Sequence, residues 1–304
     1  MDHRLKGLAL ACLALCVVFP AHARITPYRQ YLMQVGRHAP TTSYVGPVDA
    51  ATEVATNCYA LRAASAAAAI ATKKAIRVRR ASDNATLDIG VLKTGALDIS
   101  SLTTFLTATT GFVNIWYDQC PGADNVVQNT AGNQPPLTLS ALGSFPAVCP
   151  NANTITMIGV SNVTPATGKV SVSVVANRAS GTGSGIWIRQ AGASGSGLTP
   201  ASSANNVIGR GAASGTITTT ASDAAWHAIS AVVNGASPAS NVDVDGTTTT
   251  GTMNGNTTAG TPRAMTGGTT TTLCAMELLV FDNVAFSGAE QTAINSNQHT
   301  YWGF

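Results

Sequence analysis

The sequence predicts an all-β protein, a β-sandwich carrying a few short helices. Runs such as Lys169-Val-Ser-Val-Ser-Val-Val-Ala176 and Gly185-Ile-Trp-Ile-Arg189 alternate with the period of a strand that has two different faces. Asn241-Val-Asp-Val-Asp245-Gly246 ends in an Asp-Gly pair, a favoured two-residue hairpin turn. Charged residues make up only 10% of the chain, against about a quarter in an ordinary soluble domain. Thr, Ser, Asn and Gly supply the polar surface instead, a composition common in exported β proteins. A sandwich of about 250 residues forms one domain rather than two.

Residues 1–23 read as a secretory signal. Arg4 and Lys6 precede an apolar run from Leu8 to Phe19, and Ala21-His22-Ala23 supplies a small-x-small cleavage site. That run is too short to span a bilayer, so no membrane insertion is expected after cleavage. Secretion or a periplasmic location follows. Residues 24–46 contain Pro27 and Pro40 with little apolar periodicity and read as an irregular N-terminal arm, leaving residues 47–304 as the domain.

Within the domain, Ala60 to Ala75 is Ala-rich and ends on Lys73 and Lys74, which predicts a helix. A second short helix is expected after Asp98, where Leu102, Phe105 and Leu106 recur at helical spacing. Phe112-Val-Asn-Ile-Trp-Tyr-Asp118 reads as a strand with Val113, Ile115 and Tyr117 on one side. Asn114, Trp116 and Asp118 then share the other. Trp226 to Val233 and Ala275 to Asp282 are further strands. Ser287 and Glu290 form a capping box that opens a final helix through Ile294.

Six cysteines are present; Cys12 and Cys16 fall in the signal, leaving Cys58, Cys120, Cys149 and Cys274. An even number in an exported chain points to disulfides, with three possible pairings. The preferred pair is Cys120 with Cys149, closing the loop after the Trp-Tyr-Asp-Gln strand. Cys58 and Cys274 would then form a second pair or remain thiols. No Cys-x-x-Cys occurs and His38, His227 and His299 are far apart in sequence, so neither metal nor cofactor is implied. A formal net charge of +3 and a single basic cluster, Lys73-Lys74 with Arg77, Arg79 and Arg80, give no stripe for nucleic acid. Arg77 and Arg79, which share a strand face by alternation, read as partners for Asp83 and Asp88.

The spaced motifs from Cys58 to Pro136 resemble the start of the catalytic domain of α-L-arabinofuranosidase B, glycoside hydrolase family 54. They are Tyr59-x-Leu-Arg62, Ile76-Arg-Val-Arg-Arg-x-Ser-Asp83, Asp88-Ile-Gly90, Trp116-Tyr-Asp-Gln119 and Gln134-Pro135. The Trp-His strand, Asp-Gly hairpin, Glu-bearing strand and capped final helix resemble concanavalin A-like and laminin-G-like jelly rolls. The resemblance implies a concanavalin A-like jelly roll acting on a polysaccharide or other glycan, with terminal arabinofuranosyl residues as candidate substrate. Retaining glycosidases need two carboxyl groups about 5–5.5 Å apart. In the family, one lies after a Gly-Gly pair before the late Glu-bearing strand, and the other is a mid-domain glutamate. The matching stretches here, Gly267-Gly268-Thr269-Thr270 and Val207 to Gly215, carry no carboxylate, and the family's adjacent Cys-Cys pair is absent.

Two other acids are candidates. Glu277 shares a strand face with Leu279 and Phe281, where apolar surroundings would keep it protonated as an acid; the alternative is a buried, hydrogen-bonded glutamate. Asp118 is the candidate ionised partner, and beside Trp116 it would make a sugar platform; the alternative is a loop anchor accepting backbone N–H groups. Three functions follow: a glycosidase, a non-catalytic glycan-binding module, or an adhesive scaffold. Oligomeric state is not readable from the sequence.

Overall fold

A computed structural model describes residues 43–304 apart from 123, 153, 162–165, 181–184, 190–194, 201–205, 222–223, 256 and 269–271. The predicted signal and most of the arm lie outside the described residues. One compact unit spans Tyr44–Phe304. Its first strands are β1 (Asn57–Ala60), β2 (Lys74–Arg80), β3 (Thr86–Gly90), β4 (Gly111–Trp116), β5 (Val126–Val127) and β6 (Pro136–Leu142). Next come β7 (Phe145–Val148), β8 (Met157–Gly159), β9 (Val170–Ser180), β10 (Ile186–Arg189), β11 (Gly197–Pro200) and β12 (Asn206–Arg210). The last are β13 (Thr216–Thr220), β14 (His227–Val233), β15 (Gly235–Val244), β16 (Thr247–Met253), β17 (Arg263–Thr266) and β18 (Thr272–Asp282). Among the described residues three α-helices accompany them: α1 (Ala66–Ile70), α2 (Ile99–Leu106) and α3 (Gly288–Trp302).

Every strand pairing is antiparallel, and two layers emerge. One runs β16–β15–β14–β9–β18–β1. The other runs β13–β12–β11–β10–β17–β8–β5–β4–β2–β3, and β6 with β7 joins β4 to β18. Strand β9 shows why the layers pack. Val172 and Val174 go to the sandwich core with Val242, Met253, Ile188 and Leu198. Ser171 and Ser173, on the opposite face, accept or donate hydrogen bonds beneath the C-terminal segment. Hydrophobic contact closes the interior, and polar contact seats the helix.

Helix α3 carries the expected capping box, in which the Ser287 hydroxyl and Glu290 side chain satisfy each other's backbone N–H groups. It runs to Trp302 rather than stopping at Ile294, and its inward face is Gln291, Ile294, Asn295, Gln298 and Trp302. Gln291 donates to Ser230 and Asn241, Asn295 to Asp243, and Gln298 to Ser173 and Glu277. A polar buried face leaves no hydrophobic period to read. At the other end of the unit, Tyr44 meets the Tyr301 ring edge-on at 6.3 Å, and Asn297 donates to the Val45 carbonyl.

The long helix expected from Ala60 to Ala75 shrinks to α1, with Ser65 as N-cap. Ala60 closes β1 and Ala75 belongs to β2, so sheet pairing overrides alanine's helix preference there. Helix α2 forms as expected, capped by Asp98. Asp245 and Gly246 both have positive φ, as the hairpin between β15 and β16 requires.

The disulfides correct the expected pairing of Cys120 with Cys149. Cys58 joins Cys120 (Cα–Cα 5.2 Å) and Cys149 joins Cys274 (4.1 Å). Asp118 draws the loop onto β1 by accepting the backbone N–H of both Cys58 and Cys120. Cys149 follows Val148, which lies opposite Ala275 on β18, next to Cys274.

Candidate functional site

Strand β4 holds the residues that a reading by simple alternation places on a ligand face. Against β2, Ile115 lies opposite Arg77 but Val113 lies opposite Val78, so Asn114 is an extra residue, a β-bulge. The alternation slips there. Val113 and Trp116 both turn inward with Ile76 and Val78, all four fully buried. The reading of Trp116 as a sugar platform is therefore corrected: the indole packs against Tyr59, ring centroids 6.4 Å apart.

Asp118 follows the bulge and is 7% exposed. It accepts from Asn57 Nδ2 (2.9 Å), the backbone N–H of Cys58 (2.8 Å) and Cys120 (2.9 Å), and that of Asp124 (3.1 Å). Burial raises its carboxyl above the ordinary range, although these donors act to lower it. This is the loop-anchoring arrangement. Cys58, Asp118 and Cys120 are the one group of candidate metal ligands close enough together among the described residues, but both sulfurs are spent in the disulfide.

Glu277 lies on the face of β18 that α3 covers, with Leu279 and Phe281 as expected. It is fully buried. Arg62 Nε donates to it at 2.7 Å, Gln298 Nε2 at 2.9 Å and Trp302 Nε1 at 3.2 Å. The Arg62 guanidinium in turn lies over the Tyr301 ring at 4.4 Å. The apolar face is real, yet it is roofed by a helix and neutralised by a cation rather than open to a substrate. Asp118 and Glu277 share no hydrogen-bond partner and are bound into separate networks.

The basic cluster on β2 resolves into ion pairs. Arg77 grips Asp88 through two nitrogens, Lys74 joins them, and Arg80 grips Asp83. Arg79 instead donates to Gln134, Asn84 and the Ala131 carbonyl. Tyr117 donates to Asp88 (2.7 Å), and burial followed by that carboxylate pushes the phenol up to about 12.

Reading by sequence spacing also misses a cluster of His227, Asp245 and His299. Asp245 reaches His227 Nδ1 at 2.5 Å and His299 Nε2 at 3.1 Å. Burial acts to raise its carboxyl, but His227, the Ala228 N–H and His299 hold it below its ordinary value. The hairpin turn and final helix, both legible separately, bring these distant residues together.

The stretches matched to the family's catalytic positions converge on one layer. Val207 to Gly215 forms the end of β12 and the turn after it, and Gly267 and Gly268 follow β17; Thr269 and Thr270 lie outside the described residues. Strands β11 and β10 stand between β12 and β17. The charged side chains of those strands are Arg189, Arg210 and Arg263.

Comparisons with known proteins agree with this architecture. The family model described as "Alpha-L-arabinofuranosidase B, catalytic" matches residues 47–158. A Glu-to-Gln mutant of a GH54 α-L-arabinofuranosidase soaked with 4-nitrophenyl α-L-arabinofuranoside superposes with TM-score 0.58 at 14% identity. The fold is that of a GH54 arabinofuranosidase. A GH54 α-L-arabinofuranosidase soaked with a cyclic sulfate inhibitor gives TM-score 0.55 at 14% identity. An arabinofuranosidase complexed with arabinofuranosyl-α-1,2-xylobiose gives 0.52, again at 14%. In all three, 83% of this chain is covered. The chain spans 64% of the first two proteins and 65% of the third. No curated protein matches it.

Proposed function

We propose that this chain is an extracytoplasmic glycan-binding protein built on an arabinofuranosidase B-type sandwich, and that it binds without hydrolysing. One observation carries the reading. The stretches matched to the family's two catalytic carboxylates hold none, and arginines occupy the strands there. The remaining candidates, Glu277 and Asp118, are buried and fully engaged, which supports structural roles for both. Retaining hydrolysis needs a nucleophile and an acid facing one substrate atom, and Glu277 and Asp118, buried in separate networks, do not offer that arrangement. Two disulfides support an oxidising compartment, and no described helix is long and apolar enough to cross a membrane.

The solved relatives hold arabinofuranosyl compounds, so terminal arabinofuranosyl groups are the first glycans to test. Purified protein should be retarded in gels containing arabinan or a related polysaccharide while releasing no nitrophenol from 4-nitrophenyl α-L-arabinofuranoside. Turnover abolished by Glu277→Gln, with the fold intact, would restore the glycosidase reading.

A further inference from the structure

Direct partners across an antiparallel pair point to the same face of the sheet. Arg189 lies opposite Arg263 on β17 and opposite Gly197 on β11, and Gly197 lies opposite Arg210 on β12. The order Arg263, Arg189, Gly197, Arg210 is therefore a single row across four adjacent strands. At about 4.8 Å per strand the row is roughly 14 Å long. The alternate residues Ile188, Leu198 and Ala264 are fully buried in the sandwich core, so the row occupies the face turned away from it.

Such a row is costly without a counter-charge, because like charges directly opposite one another repel. Among the described residues none of the three arginines has a carboxylate within ion-pair distance. The sequence offers little relief, since Asp223 is the one acidic residue between Asn125 and Val242. Arg189 and Arg263 are half-buried, and the Nε of each is shielded from water without a hydrogen-bond partner. Burial, then the charges of Arg210 and Arg263, lower the Arg189 guanidinium to about 10. Gly197 leaves the middle of the row bare: a Cβ there would fall 2.1 Å from the Ile188 carbonyl oxygen. Arg210, at the open end, is exposed.

Guanidinium N–H groups only donate, so whatever completes this row must be rich in acceptors and negatively charged. We propose that Arg189, Arg210 and Arg263 bind the oxyanions of an acidic polysaccharide, carboxylates or sulfate esters carried on successive sugars. The inference rests on the glycan-binding reading and narrows it to anionic chains. The row begins at Arg210, inside one of the two stretches matched to the family's catalytic positions, and ends at Arg263, four residues before Gly267 of the other. On this proposal the chain has exchanged acids that cleave for bases that hold.

The test is affinity electrophoresis of the exported protein in gels containing polygalacturonate, chondroitin sulfate or neutral arabinan, with thermal melting in sodium sulfate alongside. Retardation by at least one acidic gel is expected, weakened tenfold or more in Arg210→Gln and in Arg189→Gln. Polygalacturonate and chondroitin sulfate separate carboxylate from sulfate recognition. At millimolar concentration, against sodium chloride of equal ionic strength, sulfate should raise the melting temperature of the wild type more than that of Arg210→Gln, whose exposed position leaves the fold undisturbed. Arg80→Gln, on another strand face, should behave as wild type; equal weakening there would mean diffuse charge and overturn the row. Retention by arabinan alone, with no response to acidic gels or sulfate, overturns the proposal but leaves glycan binding standing. A sulfate response through the row with no retention by any polysaccharide overturns both.

Discussion

Arg62 and Arg189 are both arginines drawn largely out of water, and their surroundings differ in every respect that matters. Arg62 is fully buried, meets Glu277 at 2.7 Å, reaches Asn297 through another nitrogen and stacks on Tyr301. Arg189 is half-buried beside two other arginines, with a shielded Nε that nothing accepts. A charge inside a protein is tolerated when its partner is covalently part of the same fold, and it then serves stability. A charge assembled with its like, with no carboxylate in ion-pair distance among the described residues, lacks that internal partner. The first arrangement is architecture; the second is the one that the proposed anion binding would complete.

The contrast is broken most forcefully at Arg62. Arg62→Met leaves Glu277 buried without its cation and should cost about 3–5 kcal/mol. Urea unfolding should record this, and adding Glu277→Leu should restore part of the loss. A single-mutant cost below about 1 kcal/mol would mean the pair is not the anchor described. Asp118 extends the comparison to carboxylates. Asp118→Ala strands the N–H groups of Cys58, Cys120 and Asp124 inside the protein and should cost about 2–3 kcal/mol by the same measurement. Asp118→Asn should cost less, because it keeps an acceptor.

At Arg263 the sign should reverse. Arg263→Met removes a like-charge neighbour and an unpartnered nitrogen, so stability in ligand-free buffer should stay level or rise by up to about 1 kcal/mol. A large loss would show that the row is internally paired after all. The smallest effect concerns the exposed ion pairs. Arg80 holds Asp83 down to about 2, and Arg77 holds Asp88 lower still. Both carboxyls titrate lower folded than unfolded, so their contribution is whole above the unfolded value near 3.9 and fades as pH falls through the folded one. Thermal melts between pH 5 and 2 should show a decline that is shallower in Asp88→Asn.

Much of the sandwich was legible because strands and turns are local signals. The Val/Ser alternation of β9, the Asp245-Gly246 hairpin and the Ser287–Glu290 box each act within a few residues. The candidate site was less legible because its determinants are non-local. One extra residue at Asn114 turns Trp116 from the surface into the core, and nothing in Phe112 to Asp118 announces the slip. The polar seat of α3 conceals Glu277, since Gln291, Asn295 and Gln298 give no apolar stripe. Above all, the arginine row depends on β10 pairing with both β11 and β17, and residues far apart in the chain become neighbours only through that register.

The meeting of Tyr44 with Tyr301 places the first and last described segments of the packed unit side by side. Adjacent ends make the order of strands in the chain separable from their order in space. A circularly permuted gene could join the region of Phe304 to that of Tyr44 through a short flexible bridge. New termini could then open in the exposed hairpin turn at Asp245-Gly246 without crossing the sandwich. For the same reason the unit is suited to grafting as a single cassette into a loop of an unrelated host.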